Sequence, residues 1–88
     1  MPNDPEDKKR ILARVRRIRG QCEALERALE TGTACGPLLQ QIAATRGAMN
    51  GLMAEVLEAH IRDEFGAPEG EGGAKTAELL ALVRSYLK

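Results

Sequence analysis

The chain has 88 residues, enough for one domain spanning 1–88 and no second. Phe65 and Tyr86 are its only aromatics, and Leu, Ile, Val, Met and Ala beside abundant Glu, Arg, Gln and Lys favour helix, so aromatic-rich strand architectures are excluded and an all-α protein is expected. Thirteen Lys and Arg balance thirteen Asp and Glu, yet Lys8, Lys9, Arg10, Arg14, Arg16, Arg17 and Arg19 form a run without one acid, a stripe suited to a polyanion.

Asp4-Pro5-Glu6-Asp7 reads as a helix start. Asp4 caps, Pro5 suits the first turn, and the acids complement the helix dipole. Ile11, Val15, Ile18, Cys22, Leu25 and Leu29 follow at alternating spacings of 4 and 3, a seam in which Cys22 reads as a small buried apolar residue. Thr31-Gly32 ends this first helix.

Thr33-Ala34-Cys35-Gly36-Pro37 reads as a connector, and a second helix is expected from Pro37 to Phe65. Its apolar residues make two stripes: Leu38, Ile42, Met49, Leu52 and Val56, and Leu39, Met53, Leu57 and Ile61. One neighbouring helix cannot cover both, so a second subunit is expected. Gly47 and Gly51 cost about 1 kcal/mol each in a helix interior, and close packing at a crossing is the expected compensation. Residues 66–73 hold four Gly and one Pro and read as a flexible linker. A third helix is expected over Lys75–Lys88, with Leu79, Leu82, Val83, Tyr86 and Leu87 as its apolar face.

Residues 1–10 are polar throughout, and no apolar run is long enough to span a bilayer. The expected setting is the cytoplasm, with no membrane partner and with Cys22 and Cys35 as thiols.

Four residues stand out for chemistry: Pro2, Cys35, His60 and Glu64. His60 and Glu64 are one turn apart on one helix face. Cys35 lies just before the start of that helix, roughly 38 Å from His60 at about 1.5 Å per residue. One chain cannot join them. Two such helices lying antiparallel bring each Cys35 beside the other chain's His60 and Glu64, giving two equivalent sites per dimer. A thiol at a helix start meets the positive end of the dipole, a setting for nucleophiles and metal ligands. Thiolate, imidazole and carboxylate together suit Cu(I), Zn(II), Co(II) or Ni(II). The plainer alternative is an interfacial histidine beside an exposed acid.

The stretches RVRRIRGQ (14–21) and LLQQIAATRGAMNGLMAEVLEAHI (38–61), with Cys35 and His60, resemble the CsoR/RcnR/FrmR family of small helical repressors. The likeness covers nearly the whole chain. It implies three helices forming an antiparallel dimer that pairs into a tetramer, and repression of double-stranded operator DNA until an effector binds at Cys35 and His60 of two chains. It implies DNA contacts from Arg14, Arg16, Arg17 and Arg46, with Lys9, Arg10 and Arg19 as secondary phosphate contacts. Copper sensors of the family carry a cysteine at the position of Glu64. Nickel and cobalt sensors carry histidines at the positions of Asn3 and Glu64. Formaldehyde sensors carry Pro2, Cys35, His60 and an acid at 64, the pattern found here. In that reading formaldehyde bridges Pro2 and Cys35 of neighbouring subunits by a methylene, and no cofactor is required. A transition-metal ion at Cys35, His60 and Glu64 is the alternative effector. A purely structural helical bundle is a third reading. An enzyme is not expected, since neither a phosphate-binding loop nor a nucleophile elbow is present.

Overall fold

The computed structural model describes residues 4–66, 70 and 73–86. They form three helices, α1 (Pro5–Thr31), α2 (Cys35–Phe65) and α3 (Gly73–Tyr86), with no strand among the described residues. The all-α, three-helix expectation holds.

The ends of α1 are set by local chemistry. The extended Asp4 accepts the Glu6 backbone N–H at 2.9 Å. At the other end Gly32 takes a left-handed φ of 78°, and the Thr33 N–H donates back to the Ala28 carbonyl at 3.0 Å. The connector is shorter than expected, because α2 starts at Cys35 rather than Pro37. Pro37 is accommodated in the first turn, where its missing N–H would have had no helical partner. The Leu38 N–H closes that turn onto the Ala34 carbonyl at 3.2 Å. Gly66 ends α2, donating to the Arg62 carbonyl at 2.8 Å. Of the expected linker, residues 67–69 and 71–72 lie outside the described residues. The start of α3 also moves, from Lys75 to Gly73.

The tight turn at 32–34 folds α1 back along α2, so Asp7 and Arg10 lie against Arg62 and Glu55. α3 packs on the far end of α2 through a row at i,i+4 spacing: Thr76, Leu80 and Arg84. The Thr76 hydroxyl donates to the Phe65 carbonyl at 3.3 Å, and Arg84 Nε donates to Glu58 Oε1 at 3.0 Å. This corrects the expected α3 face. Leu80, absent from it, is buried, whereas Leu82 and Tyr86 are exposed and Leu87 lies outside the described residues.

The hairpin's apolar interior is thin. Ile18, Ala59, Ile61 and Leu80 are the buried hydrophobics among the described residues. The α1 seam is therefore mostly uncovered: Ile18 is buried, Ile11 and Leu25 are half-buried, and Val15, Leu29 and Cys22 are exposed. Cys22 is not the buried residue expected of it, because the covered face of α1 runs through Asp7, Ile11, Ile18, Gln21, Leu25 and Ala28, leaving Val15, Cys22 and Leu29 on the exposed side. The radius of gyration is 16.6 Å, against about 12 Å for a compact chain of this length. The accessible surface of 6361 Å² exceeds the roughly 5,000 Å² of a compact monomer of this mass.

Candidate functional site

α2 presents two unlike sides. Toward α1 it offers small and polar residues: Gln41, Thr45, Ala48, Gly51, Glu55 and Glu58, all half-buried. Away from α1 it carries exposed Leu39, Ile42, Met49, Met53 and Leu57. The outward stripe thus draws on both expected stripes. Met49, Leu52, Met53, Val56, Leu57 and His60 line a shallow apolar groove on it.

Cys35 is the first residue of α2, a free and exposed thiol. The N-cap is Ala34, whose side chain makes no capping bond, so Cys35 sits among first-turn N–H groups that lack a side-chain cap. His60 and Glu64 are exposed near the other end of the same unbroken helix. With about 1.5 Å per residue, roughly 38 Å separate Cys35 from His60 within one chain. No group of three His, Cys, Asp or Glu side chains that could hold a metal is assembled among the described residues. Within one chain the thiol, imidazole and carboxylate therefore do not fit a metal ion; a metal held by all three would need donors from two chains. Pro2 lies outside the described residues.

Cys35, Leu39, Ile42, Arg46, Met49, Met53, Val56 and His60 succeed one another at intervals of 4, 3, 4, 3, 4, 3 and 4. Both ends of the candidate site thus belong to one seam along a single helix.

The cationic residues of α1 divide. Arg10, Arg14 and Arg17 share one face, with Ala13 and Glu55 beside them. Arg14 Nε donates to Glu55 Oε2, and Arg10 Nε donates to Glu55 Oε1 at 3.2 Å. Arg10 also pairs with Asp7, whose buried carboxylate accepts from Arg62 Nη2 at 3.2 Å. Arg19 lies 3.9 Å from Glu23. Lys9, Arg16, Arg17 and Arg46 are exposed and make no ion pair among the described residues. The acids missing from the run on α1 are supplied by Glu55 on α2 and by Asp7 at the start of α1. Sequence reading passed over Glu55 and Asp7 as members of this site. The signal was present: folding the chain at residues 32–34 lays Glu55 between Arg10 and Arg14.

Among the described residues no helix is long and apolar enough to cross a membrane. The family model for metal-sensitive transcriptional repressors matches residues 7–85. An uncharacterized protein in the bioA 5′ region of Serratia marcescens is 52% identical, covering 100% of both chains. The transcriptional repressor RcnR of Salmonella arizonae is 39% identical over 93% of each. A solved structure, the E64H variant of the formaldehyde-responsive regulator FrmR from Salmonella enterica serovar Typhimurium, is 58% identical. It covers 97% of this chain and 99% of its own, with a TM-score of 0.72.

Proposed function

The chain belongs to the metal-sensitive transcriptional repressors, in the FrmR-like branch of the CsoR/RcnR/FrmR family, and on that premise we propose that residues 1–88 form one DNA-binding sensor whose effector is formaldehyde. Members of the family are regulators rather than enzymes. The observation that carries the reading is the seam with Cys35 at one end and His60 at the other. Let α2 of a second copy lie antiparallel on it, with Cys35 facing the partner's His60. Leu39 then faces the partner's Val56, Ile42 faces the partner's Met53, and Arg46 faces the partner's Met49. Every position of the seam finds its mate in one register, and the exposed apolar stripe is buried. Glu64 falls one turn beyond His60, beside the same thiol.

The effector chemistry follows. Once Met1 is removed, the Pro2 secondary amine adds to formaldehyde and loses water to give an iminium. The Cys35 thiolate of a neighbouring subunit attacks that carbon, leaving an N–CH₂–S bridge. His60 and Glu64 would orient the thiol and accept its proton. The bridge ties the chain start, six residues before the cationic run, to the α2 seam. It can form in only one arrangement of the subunits, so it shifts their equilibrium away from the DNA-binding one. DNA is held in that state by Arg14, Arg16, Arg17 and Arg46, with Lys9, Arg10 and Arg19 adding phosphate contacts.

Intact mass after mild formaldehyde treatment tests the reading: a gain of about 12 Da per bridge is expected, CH₂O added and water lost. Cys35→Ser should abolish the gain and the release from DNA while leaving DNA binding itself in place. A protein released from DNA by formaldehyde without that gain would refute the bridge. The second reading, a transition-metal ion held by Cys35, His60 and Glu64 of two chains, is favoured by the family's description as metal-sensitive. Pro2→Leu separates the two, because it retains Met1 and displaces the amine. It removes a formaldehyde response and spares a metal response.

A further inference from the structure

The cationic face of α1 is already partly neutralised by the protein itself. Glu55 offers one carboxylate oxygen to each of two guanidiniums, Oε1 to Arg10 and Oε2 to Arg14. This is how a phosphate bridging two arginines would hold them. The Glu55 side chain is 17% exposed, while those of Arg10 and Arg14 stay 54% and 44% exposed. The carboxylate lies inside and the guanidiniums lie at the surface, where a phosphate can reach them. Asp7, 8% exposed, fixes Arg10 from a second side and is anchored in turn by Arg62 of α2. Gly51 completes the pocket, for a Cβ there would lie 2.9 Å from Arg14 Nη1. Arg17, on the same face, has no such partner among the described residues.

We propose that Glu55, backed by Asp7, is an internal counter-charge that competes with DNA phosphate for Arg10 and Arg14, so that a residue of α2 with no DNA contact sets the affinity. The proposal rests on the reading that the α1 cations bind DNA. An ion pair this exposed is worth little, so phosphate wins the arginines at a cost in affinity of about two- to fivefold per protomer. Each arginine surrendered by Glu55 adds one counterion released from DNA.

The test titrates a fluorescent random-sequence duplex of about 30 base pairs with the full chain between roughly 50 and 200 mM salt. Glu55→Gln is expected to bind about two- to fivefold tighter per contacting protomer. Phosphate takes both arginines in either protein, so its log K against log salt slope should steepen by no more than about 0.9, the single cation that a vacated Glu55 carboxylate takes up in wild type. In an Arg10→Ala, Arg14→Ala background the gain should vanish. Glu55→Asp keeps the charge but shortens the reach, so one carboxylate no longer spans both guanidiniums, and it too should bind tighter than wild type. Wild-type affinity in Glu55→Asp assigns the effect to net charge alone and overturns the clamp. So does a Glu55→Gln protein of unchanged helicity and assembly that binds no tighter, because Glu55 would then be presenting the arginines rather than withholding them. Arg17→Ala separates this failure from that of the DNA reading. Weakened binding there with no gain in the Glu55 variants sinks the clamp alone. Unchanged binding in Arg17→Ala and in the double arginine variant sinks both.

Discussion

Along its inner side α2 meets α1 with glycine, alanine and charge: Gly51 leaves room for a guanidinium, and Glu55, Glu58 and Arg62 each find an opposite charge on α1 or α3. Along its outer side the same helix shows Leu39, Ile42, Met49, Met53 and Leu57 to solvent. In most small domains the arrangement is reversed, with apolar side chains inward and charges outward. Here ion pairs join α1 to α2 beside a few buried apolar residues such as Ile18 and Ala59, and most of the large apolar side chains of α2 stay at the surface. Such a division suits a regulator. On the proposed assembly the apolar stripe would supply stability between chains, and the weak ion pairs inside each hairpin would be free to exchange for phosphate.

The largest effect that would break this comparison is expected from Met53→Glu. The residue is 52% exposed in the single chain, and the proposed antiparallel α2 would bury it. An unpaired carboxylate there should cost on the order of 3 kcal/mol or more of association. Light scattering should show the variant as monomer with reduced helicity where wild type is a dimer or larger. If wild type is itself monomeric at micromolar concentration, the outer side has no partner and the proposed sensor site cannot form.

Gly32→Ala is next. The hairpin turn decides which residues of α1 and α2 meet, and Gly32 holds it with a φ of 78°. An L-residue there should cost about 1 kcal/mol, a fall in Tm of about 4–8 °C for a chain of this size. An unchanged Tm would mean that packing between chains, not the cap, fixes the turn.

These elements differ in how plainly they can be read from sequence. Asp4-Pro5 and Gly32 are local signals, because capping and left-handed backbone depend on the residue itself, and both ends of α1 fall where they were expected. The start of α2 was misplaced because a proline is equally at home at the first or third helical position, and only the Ala34 carbonyl accepting from Leu38 decides between them. The α3 face was misread because two apolar rows run along that helix, and the buried one is selected by contact with α2 through Thr76 and Leu80. For the candidate site, the periodicity placed Cys35 and His60 on one helix. Periodicity alone does not pair Arg10 and Arg14, whose acid lies 45 and 41 residues away; the turn at 32–34 must first set the register of α1 against α2.

The smallest effects come from the two mid-helix glycines and sharpen the comparison on the inner side alone. Close packing was expected at both, but a Cβ on Gly47 meets nothing within 4 Å, whereas one on Gly51 meets Arg14. Gly47→Ala should therefore gain most of the helix propensity difference, up to about 1 kcal/mol, and raise Tm by a few degrees. A fall instead would show that another chain approaches this side as well. Gly51→Ala carries the same propensity gain but pushes the end of a flexible arginine off its carboxylate, a loss of up to about 1 kcal/mol. The two nearly cancel, so Tm should stay within a degree or two of wild type. The displacement should still register in DNA binding, because Arg14 leaves Glu55 without any change in formal charge. Tighter binding at unchanged Tm is the expected pair of results, and a raised Tm with unchanged binding would mean that Arg14 reaches Glu55 by another route.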